Sequence, residues 1–201
     1  MDFKNMSELT KKIREINNLP KVACSRCGKI YRGEKEDFIC RDCLEKEKEQ
    51  REQNRRTEYQ IQTLLNLSNI PIRYENAILK PKTEIQNRVS QYFIENFTTK
   101  SLKESTDILL FGAIGTGKTY LSCAFAIELI SKQQNRVKYI TEYELLSLYF
   151  EKKYQEFKSF RDSQILILDE MGKRVLAEWQ RIQLEELLTQ LHHPKFQKAI
   201  F

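Results

Sequence analysis

The feature that most constrains this chain is a glycine-rich segment that lies between an apolar run and a helix-forming stretch. Residues 112–119 read GAIGTGKT, which matches the pattern GxxxxGK[ST] at every fixed position. Ile108–Phe111 before it predict a strand, and the residues after it predict a helix through about Ile130. Glycines allow a tight turn in which successive N–H groups point at phosphate oxygens, and the helix N-terminus adds partial positive charge. The segment therefore predicts a phosphate-binding loop that joins a strand to a helix.

The side chains of this loop indicate contacts with ATP and Mg²⁺. Lys118 is expected to reach the β- and γ-phosphates, and Thr119 to hold Mg²⁺ through its hydroxyl. A chance glycine-rich turn is the alternative, and the flanking strand and helix argue against it. The expected ATP-binding residues are Gly112, Ala113, Ile114, Gly115, Thr116, Gly117, Lys118, Thr119 and Tyr120.

A second motif with catalytic potential stands at the end of a later apolar run. Ile165–Leu168 is unbroken by polar residues, as a parallel strand buried on both faces requires, and Asp169 and Glu170 follow it. Ligands of parallel sheets gather at the carboxyl ends of the strands, so we expect Asp169 to face Thr119 and to hold Mg²⁺. Glu170 is the expected catalytic carboxylate, which would polarise the attacking water, and Lys118 is the second expected catalytic residue.

The order of the elements predicts the fold class. Strands alternate with helices, which is typical of an α/β domain with three layers and a parallel sheet. Thr83 and Gln86 predict a helix start before the phosphate loop, and the apolar residues that follow on one face are Ile85, Val89, Phe93 and Phe97. The other predicted elements are strands at Ile108–Phe111, Val137–Ile140, Ile165–Leu168 and from Lys198, and helices near residues 144–154 and 179–191.

Four of the five cysteines form a cluster near the N-terminus. Cys24 and Cys27 make one C-x2-C pair, and Cys40 and Cys43 make a second after twelve intervening residues. Without a hydrophobic signal segment, clustered thiols are more often metal ligands than disulfides, and this spacing suits tetrahedral Zn²⁺. A closed shell of four thiolates leaves no open coordination position, so the expected role is structural. Unligated thiols are the alternative.

Composition divides the chain into three segments. Residues 1–43 hold a helix and the cysteine module, residues 44–67 form a charged helical connector, and residues 68–201 form the α/β core. The connector carries two acid-first pairs at helical spacing, Glu47–Arg51 and Glu52–Arg56. The expected N-terminal helix has an apolar stripe of Met6, Leu9, Ile13 and Ile16.

Charge and hydropathy exclude several protein classes. Apolar residues make up 40% of the chain and charged residues 31%, which excludes a disordered protein. No apolar run is long enough to cross a bilayer and the N-terminus lacks a signal core, so we expect a cytoplasmic protein with no membrane partner. The net charge of +6 is spread evenly along the chain and is therefore weak support for nucleic-acid binding.

Together these motifs resemble the DnaC/DnaI-type helicase loaders and their IstB relatives. The resemblance spans residues 68–201 and rests on Ile70–Tyr74, residues 109–130, Val137–Leu146 and residues 165–172. It implies an AAA+ P-loop ATPase that binds single-stranded DNA, assembles with its own copies in the presence of ATP and helps to place a replicative DNA helicase on the DNA. DnaI-like loaders also carry an N-terminal zinc-binding domain that contacts the helicase, which agrees with the four clustered cysteines.

The sequence departs from this family near its C-terminus. In the family, the strand that begins here at Lys198 lies between the first and third strands, and a sensor residue, an arginine finger and a final strand follow it. This sequence ends at Phe201, and His192 and His193 stand where the family usually has an Arg-Tyr pair. We therefore expect an AAA+ core that is truncated at its C-terminus and hydrolyses ATP poorly.

Three other functions remain open from the sequence. An IstB-like transposition helper ATPase ranks lower because such relatives generally lack the zinc module. A non-catalytic adaptor or inhibitor that occupies the helicase without loading it would explain the missing arginine finger. A zinc-dependent transcription factor is opposed by the phosphate-binding loop.

Overall fold

The computed structural model describes residues 17–32, 38–95, 108–191 and 198–200 of the chain. The chain divides into two compact units, Met1–Glu58 and Tyr59–Phe201. Some of the sequence predictions fall outside the described residues, namely the Met6–Ile16 stripe, Phe97, and the His192–His193 pair. Among the described residues, no helix combines the length and the apolar character that a membrane span requires.

The N-terminal unit contains a short hairpin that brings the first cysteine pair toward the second. Strands β1 (Lys21–Ala23) and β2 (Ile30–Arg32) pair in antiparallel fashion, with Lys21 opposite Arg32. The turn between them contains Cys24 and Cys27, and Gly28 takes a left-handed conformation with φ of 70°. A residue with a Cβ would be strained there, so Gly28 permits the tight turn that follows the C-x2-C pair.

The charged segment is a single long helix. Helix α1 (Arg41–Leu67) begins directly after Cys40 and has no buried residue. The predicted pairs form, with Arg51 2.6 Å from Glu47 and Arg56 3.1 Å from Glu52. Such exposed pairs contribute only a few tenths of a kcal/mol each, about 0.3–0.5, so they support the helix without anchoring it.

The second unit has the predicted α/β order. After a 3₁₀ turn at Ile72–Tyr74, its elements are α2 (Glu84–Phe93), α3 (Lys118–Gln133), β3 (Val137–Thr141), α4 (Glu142–Phe150), α5 (Tyr154–Arg161), β4 (Ile165–Asp169), α6 (Glu178–Leu191) and β5 (Lys198–Ile200). The three strands form a parallel sheet in the order β3-β4-β5, with Thr141 opposite Asp169. β5 therefore lies beside β4, as the resemblance implies.

Strand β4 is buried on both faces and separates two apolar cores. Ile165 and Ile167 belong to a core that they share with α3, α2 and the end of α1. Leu166 and Leu168 belong to a second core, which α4, α5 and α6 cover. Since successive side chains of a strand point to opposite faces, helices lie on both sides of the sheet. The predicted three-layer α/β/α architecture is confirmed.

One predicted helix is divided in two. Thr141 caps α4 through its hydroxyl, and Glu144 completes the capping box, so the helix begins at Glu142. It ends at Phe150 because Lys152 takes a left-handed conformation with φ of 56°. The prediction of one continuous helix at residues 144–154 is therefore wrong, because a second helix, α5, begins at Tyr154.

The prediction of a strand at Ile108–Phe111 is wrong for every residue except Ile108. Ile108 is buried and forms an isolated bridge, whereas Phe111 is 89% exposed. A strand needs a neighbouring strand to pair its N–H and C=O groups and to cover its side chains. No strand among the described residues does this for Leu109–Phe111. The apolar pattern therefore predicted strand structure correctly only at Ile108, which is buried in the core.

Helix α2 shows which of its apolar residues carry the packing. Phe93 is fully buried and stacks on Phe125 of α3, with ring centroids 4.2 Å apart. Val89 packs on the same core, but Ile85 is 74% exposed. The predicted face therefore contacts the core through its C-terminal half only.

We predict that Phe93→Ala lowers the free energy of unfolding by about 3–5 kcal/mol, because it removes a fully buried ring from a core contact. Ile85→Ala on the same helix is the matched control, and its effect should stay within about 0.5 kcal/mol. Urea unfolding followed by circular dichroism measures both. Equal losses in the two variants would contradict the packing described for α2.

Candidate functional site

The glycine-rich loop takes backbone conformations that favour glycine. Gly115 and Gly117 have φ values of 83° and 89°, both in the left-handed region. Gly117 is also the N-cap residue of α3, so the loop ends at a helix N-terminus. A Cβ at Gly117 would lie 3.2 Å from Nε2 of Gln86, which leaves little room for another residue. An exposed loop of this kind at a helix N-terminus is suited to bind an anion.

Lys118 lies against the loop that precedes it. Its Nζ atom donates hydrogen bonds to the carbonyl oxygens of Gly112 and Ala113, both at 2.9 Å. The Thr116 hydroxyl also donates to the Ala113 carbonyl, at 3.0 Å. The ammonium group is thus held at the loop, within reach of an anion that the loop would bind.

The two distant motifs meet at the carboxylate of Asp169. The Thr119 hydroxyl donates to Oδ2 of Asp169 at 2.9 Å, across fifty residues of sequence. This contact arises because Asp169 ends β4, beside the first turn of α3. A hydroxyl and a carboxylate are oxygen ligands of the kind that Mg²⁺ prefers, so together they fit a magnesium site.

Asp169 has two further hydrogen-bond donors. The Tyr139 hydroxyl donates to the same Oδ2 atom at 2.7 Å, and the backbone N–H of Glu170 donates to Oδ1 at 2.8 Å. Burial raises the pKa of Tyr139 far above its usual range, and the hydrogen bond to Asp169 raises it further. The hydroxyl therefore stays protonated and donates at every physiological pH.

Glu170 occupies a constrained turn after β4. It takes a left-handed conformation with φ of 60°, and its Oε1 atom lies 2.7 Å from Nζ of Lys173. The backbone N–H of Gly172 in the same turn donates to Oε2 of Glu142, at 2.7 Å. This hydrogen bond attaches the turn to the start of α4, where Glu142 is buried. Glu170 therefore follows Asp169 in a turn that is hydrogen-bonded to α4, and its carboxylate pairs with Lys173.

Two contacts attach the loop region to the segment that precedes it. Nε2 of Gln86 donates to the Thr116 carbonyl at 3.2 Å. The Tyr120 hydroxyl accepts from the backbone N–H of Ile78 and donates to its carbonyl, each at 3.2 Å. The segment before the loop is therefore connected by hydrogen bonds to the loop and to the first turn of α3.

Sequence reasoning did not identify Tyr139, Glu142 or Gln86 as part of this site. Gln86 was recognised only as a capping residue, and its side chain accepts instead from the backbone N–H of Lys82. Tyr139 stands two residues before the carboxyl end of β3, on the same face as Thr141. This position near the carboxyl end of a strand was the available signal of a role in the site. Many buried tyrosines without such a role occupy similar positions.

Four sulfur atoms meet in the N-terminal unit. The Sγ atoms of Cys24, Cys27, Cys40 and Cys43 all lie within 4.8 Å of one another. Two of the separations, Cys24 to Cys43 and Cys27 to Cys40, are 3.8 Å. A tetrahedral zinc ion with Zn–S bonds of about 2.3 Å separates its sulfur ligands by about 3.8 Å. The cluster fits four-coordinate zinc.

The thiols of the cluster differ in pKa: that of Cys24 is lowered, whereas the hydrogen bond with the Cys40 thiol is the main reason that the pKa of Cys43 rises to about 12. The backbone N–H of Cys40 donates to Sγ of Cys24, and this contact is the main reason that the pKa of Cys24 falls to about 6. Metal-bound cysteine is deprotonated, so a lowered pKa favours the metal-binding form. Cys123 differs, because burial raises the pKa of its thiol to about 12. It is a fully buried residue of α3.

Charged and aromatic side chains after the acidic turn have contacts of their own. Besides the Lys173–Glu170 pair, the Arg174 guanidinium lies 4.2 Å from the ring centroid of Tyr143. Trp179 packs edge-to-face on Phe150, with ring centroids 5.0 Å apart. These contacts account for both side chains without a ligand.

Solved structures resemble this chain over about two thirds of its length. The crystal structure of the DnaC helicase loader shares 27% identity at a TM-score of 0.57, covering 65% of this chain and 78% of that one. The crystal structure of DnaI shares 19% identity at 0.53, covering 66% and 75%. AMPPCP-bound DnaA from Aquifex aeolicus shares 18% identity at 0.52, covering 66% of this chain but only 43% of DnaA. The last two show a common fold.

No curated protein matches this chain significantly. The family model described as IstB-like ATP binding protein matches residues 18–195. The resemblance expected from the sequence motifs, to DnaC/DnaI-type loaders and their IstB relatives, is therefore confirmed. Because the family match spans most of the sequence, this chain belongs to the IstB-like ATP binding protein family.

Proposed function

We propose that this protein is an ATP-dependent loader that places a replicative DNA helicase on single-stranded DNA. The observation that carries the proposal is the similarity to the DnaC helicase loader, at 27% identity over 65% of the chain. The four clustered cysteines support the same function, because a separate zinc module can serve as the contact with the helicase. ATP-dependent assembly with further copies and a cytoplasmic location, both expected from the sequence, belong to this proposal.

The proposed nucleotide site uses the residues of the glycine-rich loop. Lys118 binds the β- and γ-phosphates, and Thr119 and Asp169 hold Mg²⁺, which neutralises phosphate charge when bound. The contact between the Thr119 hydroxyl and Asp169 at 2.9 Å supports a shared metal site. Backbone N–H groups and side chains along the loop complete the site, and the proposed ATP-binding residues are Gly112, Ala113, Ile114, Gly115, Thr116, Gly117, Lys118, Thr119 and Tyr120.

Glu170 is the proposed catalytic carboxylate, which would orient and polarise a water molecule for attack on the γ-phosphate. Its Oε1 atom lies 2.7 Å from Nζ of Lys173, and both side chains are substantially exposed. Exposed ion pairs of this kind contribute only about 0–1 kcal/mol, so Glu170 can exchange Lys173 for a water molecule at little cost.

The proposed zinc site has a structural role in the N-terminal unit. Cys24, Cys27, Cys40 and Cys43 lie around one centre, and the described part of the unit consists mainly of a short hairpin and the first part of α1. A unit with so little apolar packing depends on metal binding to fold. The folded module is the part that we propose contacts the helicase.

The decisive test of the loader function is complex formation with a replicative helicase. We expect a stoichiometric complex when the purified protein is mixed with the replicative helicase of its own organism, measured by light scattering after gel filtration. ATP–Mg²⁺ should then increase transfer of that helicase to fluorescent single-stranded DNA, measured by polarisation. Binding to duplex DNA with a transposase, and no helicase complex, would contradict the proposal. A complex without DNA transfer would indicate an adaptor or inhibitor instead.

We predict that Lys118→Ala weakens the binding of fluorescent mant-ATP by about 10- to 100-fold, because it removes a charged donor to phosphate. Glu170→Gln should retain nucleotide binding, since its carboxylate acts on water rather than on phosphate. Lys132→Ala is the matched control, because this lysine lies at the other end of α3 and pairs with Glu128. Unchanged affinity in Lys118→Ala would argue against nucleotide binding at this loop.

We predict one zinc ion per chain, measured by native mass spectrometry, and its loss in Cys40→Ser. The reason is that the fully buried Cys40 supplies one of four sulfurs within 4.8 Å of one another. Cys123→Ala removes a cysteine outside the cluster and should leave the zinc content unchanged. A folded N-terminal unit that contains no metal would refute the zinc site.

A further inference from the structure

We propose that Tyr139 is a positioning residue, which fixes the carboxylate of Asp169 for metal binding at the phosphate loop. This inference rests on the proposed ATP–Mg²⁺ site and extends it to a residue outside the loop and the acidic motif. The Tyr139 hydroxyl lies 2.7 Å from Oδ2 of Asp169 and donates to it. Thr119 donates to the same oxygen from the opposite motif, at 2.9 Å.

Both the backbone and the side chain of Tyr139 are held in place. Its backbone N–H donates to the Ser68 carbonyl at 2.7 Å, and Ser68 is fully buried. The Ser68 hydroxyl in turn donates to the Leu65 carbonyl at the end of α1, also at 2.7 Å. The Tyr139 ring belongs to the core that contains Ile165 and Ile167 of the adjacent strand. A side chain held in this way presents its hydroxyl at a fixed point.

The consequence for Asp169 is that both of its oxygens have defined donors. Oδ1 accepts from the backbone N–H of Glu170, and Oδ2 accepts from Thr119 and Tyr139. A carboxylate that is hydrogen-bonded at both oxygens cannot rotate freely about its terminal bond. Its orientation is therefore set before any metal binds.

The Tyr139 hydroxyl also affects Thr119 indirectly. Thr119 donates its hydroxyl proton to Oδ2 of Asp169, which leaves the lone pairs of Oγ1 available to a metal. If Asp169 turned away, this hydroxyl would lose its acceptor and could rotate. Groups that orient the ligands of a metal typically change metal affinity by about 10- to 100-fold when they are removed.

The test compares Tyr139→Phe with the wild type in mant-ATP binding, with Mg²⁺ varied and with the metal removed by EDTA. We expect the Mg²⁺ concentration for half-maximal binding to rise about tenfold, the lower limit for such groups. Affinity in EDTA should stay within about twofold, because Tyr139 makes no hydrogen bond to the phosphate loop among the described residues. Tyr149→Phe is the matched control, since this partly buried tyrosine makes no hydroxyl hydrogen bond among the described residues.

The outcomes separate this inference from the proposed function. An unchanged Mg²⁺ requirement in Tyr139→Phe, with normal binding by the wild type, overturns the positioning role alone. Equal weakening with Mg²⁺ and with EDTA also overturns it, because the hydroxyl would then support the fold rather than the metal. Wild-type protein that binds no nucleotide, or binds it without regard to Mg²⁺, contradicts the proposed function and the inference together.

Discussion

The candidate site of the second unit depends on the carboxylate of Asp169, which accepts two hydrogen bonds from elements distant in sequence and a third from the residue that follows it. Thr119 reaches it from α3, Tyr139 from β3, and the backbone of Glu170 from the following turn. Each hydrogen bond to a charged group contributes about 1.5–3 kcal/mol, whereas leaving such a carboxylate without donors in a partly buried position is costly. The sheet, the phosphate loop and the acidic turn are therefore held in one arrangement by a group that the proposed chemistry also needs.

The residues of the two candidate sites could be predicted from the sequence because each motif consists of closely spaced residues. Spacing alone identified the glycine-rich loop, the acidic strand end and the four cysteines, and the structure brings each group together in space. The family and the three-layer fold also followed from these patterns. Periodicity located β3, β4 and α6 within a residue or two, because each has a long apolar pattern that its neighbours cover.

What the sequence did not predict depends on contacts between distant residues. The apolar run at Ile108–Phe111 has the composition of a strand, but pairing decides whether a strand forms, and Phe111 is exposed. The interruption between α4 and α5 depends on the left-handed conformation of Lys152. No glycine, asparagine or proline at residues 150–153 indicates a turn there. Tyr139 and Glu142 look like ordinary residues of a strand and a helix, and their partners lie thirty residues away.

The two cores on either side of β4 have a consequence for the precision of the site. If β4 slipped by one residue, Ile165 and Ile167 would exchange places with Leu166 and Leu168, and each core would receive side chains of the wrong shape. The same slip would carry Asp169 about 3.3 Å along the strand, beyond hydrogen-bond reach of Thr119. The alternation of isoleucine and leucine along β4 thus fixes the register of the strand, and with it the position of Asp169. We therefore expect substitutions in this strand to be tolerated best when they preserve side-chain volume on both faces.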